Sequence, residues 1–172
     1  VLSIALLFLL VGRKGLAHPF QTCVRGIQGS LIPVVFISIV VGYGTAVQAT
    51  PVFGWLVEQV LSLDMNPYLL TFVAVNLLAG MTANGTGGVT LFMENFGATI
   101  LGNPAINVGA LHRIAAISGA GFDSLPHNGA IAFQLSVFKL SYKDGYFQQF
   151  MMSVLVNLLA GLLAVLMAVV LF

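Results

Sequence analysis

The end of the chain constrains it most. Met151–Phe172 is an apolar run with Asn157 and Gly161 inside it and no charged residue. At a rise of about 1.5 Å per residue, some 20 such residues cross the ~30 Å hydrocarbon layer of a bilayer, so residues 151–172 are predicted to be a spanning helix. The remaining sequence suits the same solvent. Hydrophobic residues make up 59% of the 172 and charged residues 6%, with a mean hydropathy of +1.03, whereas a soluble domain has about 25% charged residues. So few ions cannot cover a soluble surface, and the 19 glycines suit helices that approach closely in lipid. The expectation is an all-α integral membrane protein whose constant partner is the lipid bilayer. A net charge of +1 provides no basic footprint for nucleic acid.

The few charges fall in clusters: Arg13, Lys14 and Arg25; Glu58 and Asp64; Lys139, Lys143 and Asp144. Val1–Val11 is apolar but too short to span. It reads as the end of a truncated transmembrane helix, because Arg13 and Lys14 follow it, whereas a signal peptide has its basic residues in front. Residues 1–29 are therefore expected to be that helix end plus a basic loop, Gly12–Gly29, which also holds His18 and has room for a short surface helix. Residues 30–172 are the membrane transport region, and the whole is expected to be the carboxyl-terminal part of a longer transporter. The basic loop, and the one with Lys139 and Lys143, favour the cytoplasmic side. Ser30–Val47 is the first complete candidate span, with Pro33 near its start. Val52–Leu63, bearing Glu58, is an amphipathic or short spanning piece, and Asn66-Pro67 opens the next helix as N-cap and first helical residue. Cys23 is the single cysteine, so no intrachain disulfide can form.

Two apolar stretches are interrupted. Tyr68–Met81 stops at Thr82-Ala83-Asn84-Gly85-Thr86-Gly87-Gly88 before Val89–Leu101 resumes, and Leu111–Ile117 is parted from Ala130–Leu140 by residues 118–129. Short apolar arms joined by polar, glycine-rich tips predict a re-entrant hairpin or a broken helix, which membranes tolerate only where protein or a water-filled cavity satisfies the backbone. Transporters build substrate sites at such breaks, from unwound carbonyls and helix-end N–H groups. In the first break, Asn84 and Thr86 supply polar side chains, while Gly85, Gly87 and Gly88 open the backbone to a ligand. The structural alternative is that these glycines only let helices pack closely.

The second break concentrates titratable groups, which are expensive inside a membrane and face a bundle interior or a watery path. Arg113 can pair with a substrate carboxylate or, structurally, with Asp123 or Glu94. His127 and Asp123 are candidate proton carriers, with a hydrogen-bonded histidine and a helix cap as the structural alternatives. Glu94 is a third proton-coupling candidate, and Asn128 and Gly129 contribute to site geometry. No metal-ligand spacing, Walker loop or dinucleotide fingerprint occurs, so no cofactor or metal is expected.

The run Gly109-Ala110-Leu111-His112-Arg113 through Asp123-Ser124-Leu125-Pro126-His127-Asn128-Gly129-Ala130 resembles the carboxyl-terminal signature of the gluconate permease family. That pattern is a His-Arg pair, a small-residue stretch, Asp with Ser or Thr, then Leu-Pro-His-Asn-Gly-Ala. Val41-Gly42-Tyr43-Gly44 is similar to the family's glycine-rich helix end, and Thr82–Gly88 to its Gly-Gly break, although the family shows Ser or Ala where this chain has Asn84 and Gly85. The likeness runs from about Val40 to the end.

The resemblance implies an ion-transporter-type fold, with this chain supplying mainly the second inverted repeat, its hairpin and its broken helix. It also implies proton-coupled symport of gluconate, or of a related sugar acid or small hydroxy-carboxylate, in a multi-pass bacterial inner-membrane protein. Site residues would be Asn84, Gly85, Thr86, Gly87, Gly88, Arg113, Asn128 and Gly129 for substrate, and His127, Asp123 or Glu94 for the proton. A homo-oligomer is compatible with the sequence. The competing class is a channel-like or structural membrane subunit, in which the same breaks line a pore. An enzyme is a distant third, since no nucleophile or catalytic residue is identifiable.

Overall fold

The computed structural model describes Leu6, Leu10 and residues 18–172. Apart from Leu6 and Leu10, the apolar run Val1–Val11 lies outside the described residues, as do Arg13 and Lys14. The chain divides into two units, Val1–Phe36 and Ile37–Phe172. In the first unit the described residues are helical from Pro19, the opening residue of α1, Pro19–Gln48. The second part of the expected basic loop is thus helical, as the start of a 30-residue helix that continues through Ser30–Val47 rather than as a short surface helix. Proline fits a first helical position because no intrahelical acceptor awaits its missing N–H, and His18 O accepts from the backbone N and the hydroxyl of Thr22, both at 3.0 Å. Pro33 therefore sits well inside the helix rather than near its start.

The second unit is a set of helices gathered round one of them. Thr50 caps α2, Pro51–Leu61, through its side chain, and Phe53, Val57 and Val60 form its buried stripe while Trp55 and Glu58 stay exposed. Eleven residues reach only about 16 Å, too short to span. Helix α3, Pro67–Thr82, starts as the sequence predicts: Asn66 Oδ1 accepts from Tyr68 N at 3.0 Å, ahead of Pro67. Ala74, Val75 and Ala79 on it are fully buried, as befits a helix covered on all sides.

Two residues, Ala83 and Asn84, join α3 to α4, Gly85–Leu101, in a helical hairpin; Ala83 takes the left-handed conformation, φ 50°. The arms touch so closely that a Cβ on Gly88 would lie 2.5 Å from Ala79 N. Tyr68 OH accepts from Asn107 N at 2.9 Å, fixing the residue that caps α5, Val108–Gly119. A 3-10 turn, Phe122–Ser124, leads to α6, Gly129–Val137.

The last helix, α7, runs Tyr142–Leu171. It is longer than the predicted 151–172 span, because the polar segment Tyr142–Gln149 continues into it through a π-helical stretch, Phe150–Leu155. Gly161, Val165 and Ala168 form its buried stripe, spaced as one helix face, while Leu162, Leu163, Leu166 and Val170 are exposed. A Cβ on Gly161 would lie 2.5 Å from Phe72 Cε2, so α7 meets α3 at that glycine. Among the described residues the fold is helical, with one helix, Tyr142–Leu171, long and apolar enough to cross a membrane.

Candidate functional site

The two interrupted stretches meet. At the hairpin tip, Asn84 is the N-cap of α4: its Oδ1 accepts from Gly87 N at 3.1 Å, and its backbone N donates to Ala79 O at 3.1 Å. Asn128 has the same office for α6, with Oδ1 accepting from Ala130 N at 2.5 Å and Ile131 N at 3.3 Å. Its Nδ2 donates across to Ala83 O at 2.9 Å and to Asp123 O. Both donors and both acceptor positions of this buried amide are thus used within the protein. His127 adds a second stitch, Nε2 to Gly80 O at 2.6 Å. A carbonyl only accepts, so Nε2 bears a proton in this bond.

Glycine is required where the breaks touch. A Cβ on Gly85 would run into the Gly119 carbonyl, 2.9 Å from its carbon, and lie 3.0 Å from Asp123 Oδ2. Beside this contact an open cleft of about 380 Å³ is lined by Gly85, Thr86 and Val89 of α4, Ala116 and Gly119 of α5, then Ala120 and Asp123. Asp123 is half-buried, and its Oδ1 accepts from Ser124 Oγ at 2.9 Å. A separate cavity of about 330 Å³ is lined by Tyr43, Leu77, Gly80, Met81, Phe122, Leu125 and His127. The rings of Tyr43 and His127 are edge-to-face there, 6.2 Å apart. Consecutive residues, Phe122 and Asp123, thus face different cavities.

The structure therefore brings together Asn84, Gly85, Thr86, Asp123, His127, Asn128 and Gly129. Gly87 and Gly88 lie in the first turn of α4, Gly88 buried against α3. Arg113 stands apart: its Nη1 donates to Gly109 O at 3.0 Å, and it borders a third, apolar cavity with Ala110, Ala164 and Leu171. Glu94 is exposed about 13 Å along α4 from Gly85, at 1.5 Å per residue. Among the described residues no group of three or more His, Cys, Asp or Glu is placed to hold a metal ion.

Residues that the sequence did not single out complete the site. Unwound carbonyls of the second break are satisfied by side chains of α7: Tyr142 OH donates to Pro126 O at 2.9 Å, Tyr146 OH to Ser124 O at 3.2 Å, and Asn157 Nδ2 to Ala120 O at 3.1 Å. The available signal is the spacing of Tyr142 and Tyr146, one helical turn apart at the head of an apolar run. Such tyrosines read equally well as membrane-interface residues. Asn84 and Asn128 had a clearer signal, since each stands directly before a helical run, as an N-cap does.

The chain is similar to an uncharacterised transporter, YxjC, of Bacillus subtilis (strain 168), at 28% identity over 125 residues, or 71% of this chain. No protein-family model matches the chain, and no solved structure does. The matched region is 26% of the relative's length, so the chain spans about a quarter of the curated relative it resembles, a distant homologue named as a transporter.

Proposed function

We propose that this chain is the carboxyl-terminal part of a multi-pass secondary transporter of the gluconate permease type. It would move gluconate, a related sugar acid or a small hydroxy-carboxylate together with a proton. One observation supports the reading above the others: two helix interruptions, distant in sequence, are stitched together by Asn128 and His127 and leave at their junction a cleft that contains Asp123 and Thr86. Backbone broken at membrane depth needs either protein partners or a watery cavity, and here side chains satisfy carbonyls of the second break beside an open cleft.

In this reading Gly85 and Thr86 present first-turn N–H donors of α4 to the substrate, at the positive end of the helix dipole. Thr86 adds a hydroxyl. Asn84, Asn128 and Gly129 shape the site, Gly87 and Gly88 let the hairpin close, and Arg113 acts from outside the cleft. The hairpin and the second break belong to one inverted repeat of an ion-transporter-type fold, and alternating access comes from movement of this region against a scaffold. The transporter relative and the long apolar α7 support a membrane setting with a small solute. The test is concentrative uptake of gluconate and short hydroxy acids by proteoliposomes containing the protein with this chain, driven by an imposed proton gradient. Passive ion conduction without accumulation would sink the symporter reading in favour of a channel-like subunit.

A further inference from the structure

The cleft at the junction contains one ionisable group, Asp123, and no cation among the described residues lining it. Its two oxygens are differently engaged: Oδ1 accepts from Ser124 Oγ, while Oδ2 points toward the hairpin tip at Gly85. Helices α4 and α5 bring only small, apolar or hydroxyl side chains to the cleft. Of the titratable neighbours, Tyr146 on α7 spends its hydroxyl on Ser124 O, and His127 faces the other cavity with Nε2 bonded to Gly80 O. Arg113 and Glu94 lie elsewhere on their helices.

We propose that Asp123 is the residue that obliges the anion to travel with a proton, and that His127 is a positioning residue. The assignment rests on the transport reading above and deepens it. An organic anion entering this cleft brings a second carboxylate beside Asp123 with no lining cation to offset the pair, and two carboxylates sharing one site do not both stay ionised. Asp123 takes a proton from the water on the entry side as the anion binds. When the anion leaves on the other side, the carboxyl returns its proton to the water there. One anion and one proton cross together, and the only bond made and broken is the O–H of Asp123. His127 faces the other cavity, and its Nε2–H bond to Gly80 O holds the second break to α3.

The experiment uses the full-length protein containing this chain, reconstituted in proteoliposomes, with labelled gluconate as probe. Asp123→Asn is expected to lower proton-driven accumulation at least tenfold, to lower equilibrium exchange much less, and to remove the pH dependence of gluconate binding. Ser124→Ala removes a donor to the ionised carboxyl, so the pH midpoint of accumulation moves up. That second variant tests the assignment even if Asp123→Asn fails to fold. Wild-type proton stoichiometry in Asp123→Asn, an unmoved midpoint in Ser124→Ala, or accumulation driven by sodium in place of protons would each overturn it. A wild-type protein that neither binds nor accumulates any sugar acid or hydroxy acid would remove the transport reading itself, a result distinguishable from all of these.

Discussion

Replacing Gly85 by Ala tests whether the junction of the two breaks organises the site. The added Cβ would lie 2.9 Å from the carbonyl carbon of Gly119 and closer to its oxygen, where carbon atoms in contact sit about 3.5–4.0 Å apart. The obstacle is backbone on both sides, so the hairpin tip and the end of α5 must separate by roughly 1 Å. The bond from Asn128 Nδ2 to Ala83 O, 2.9 Å long, does not survive that displacement. Losing a buried hydrogen bond costs about 1–3 kcal/mol, and overpacking a tight contact costs a similar 1–3 kcal/mol. Together these cost about 2–6 kcal/mol, and the lower end of about 2 kcal/mol already lowers the unfolding midpoint by roughly 4–8 °C for 150–250 residues. Gly54→Ala on α2 is the control, since a Cβ there has nothing within 4 Å. Thermal unfolding in detergent and gluconate binding are measured on both variants. If Gly85→Ala unfolds and binds as Gly54→Ala does, the close approach of the two breaks is not what builds the site.

Asn128→Ala removes the bonds to Ala83 O and Asp123 O and the cap of α6, so it should cost at least ~2 kcal/mol in unfolding free energy; a mutant of normal stability would contradict its organising role. Gly161→Ala pushes a Cβ to 2.5 Å from Phe72 Cε2 and should destabilise by about 1–3 kcal/mol. Phe72→Leu should recover much of that loss in a double-mutant cycle, since this obstacle is a side chain. Tyr68→Phe strips the acceptor from Asn107 N, a bond of 2.9 Å that pins the start of α5, and should cost about 1 kcal/mol in thermal unfolding. Cysteine placed at Lys143, in the first turn of α7, should be labelled from the cytoplasmic side, and exclusive external labelling would reverse the assigned orientation.

The sequence by itself determined the helical class and the places where helices stop, and its composition pointed to lipid as the solvent. These are local matters: an apolar residue prefers lipid wherever it sits, Asn66-Pro67 opens a helix through bonds reaching only two residues ahead, and glycine-rich polar tips interrupt apolar arms without regard to distant neighbours. The same locality explains what the sequence misplaced. The helix from Pro19 and the extension of α7 back to Tyr142 run through polar residues that helical propensity tolerates, and composition alone reads them as loop. The site was half legible. Asn84, Gly85, Thr86, Asp123, His127 and Asn128 were all identifiable as unusual residues at breaks. The partners of His127 and Asn128, however, are the carbonyls of Gly80 and Ala83, some 45 residues away, and a carbonyl's direction leaves no mark in sequence spacing. Only the tertiary structure decided that Asp123 and His127 face different cavities, that Arg113 and Glu94 stand away from the cleft, and that Tyr142, Tyr146 and Asn157 satisfy the unwound backbone. Each of those facts depends on how separate helices pack, and packing brings together groups that no local rule relates.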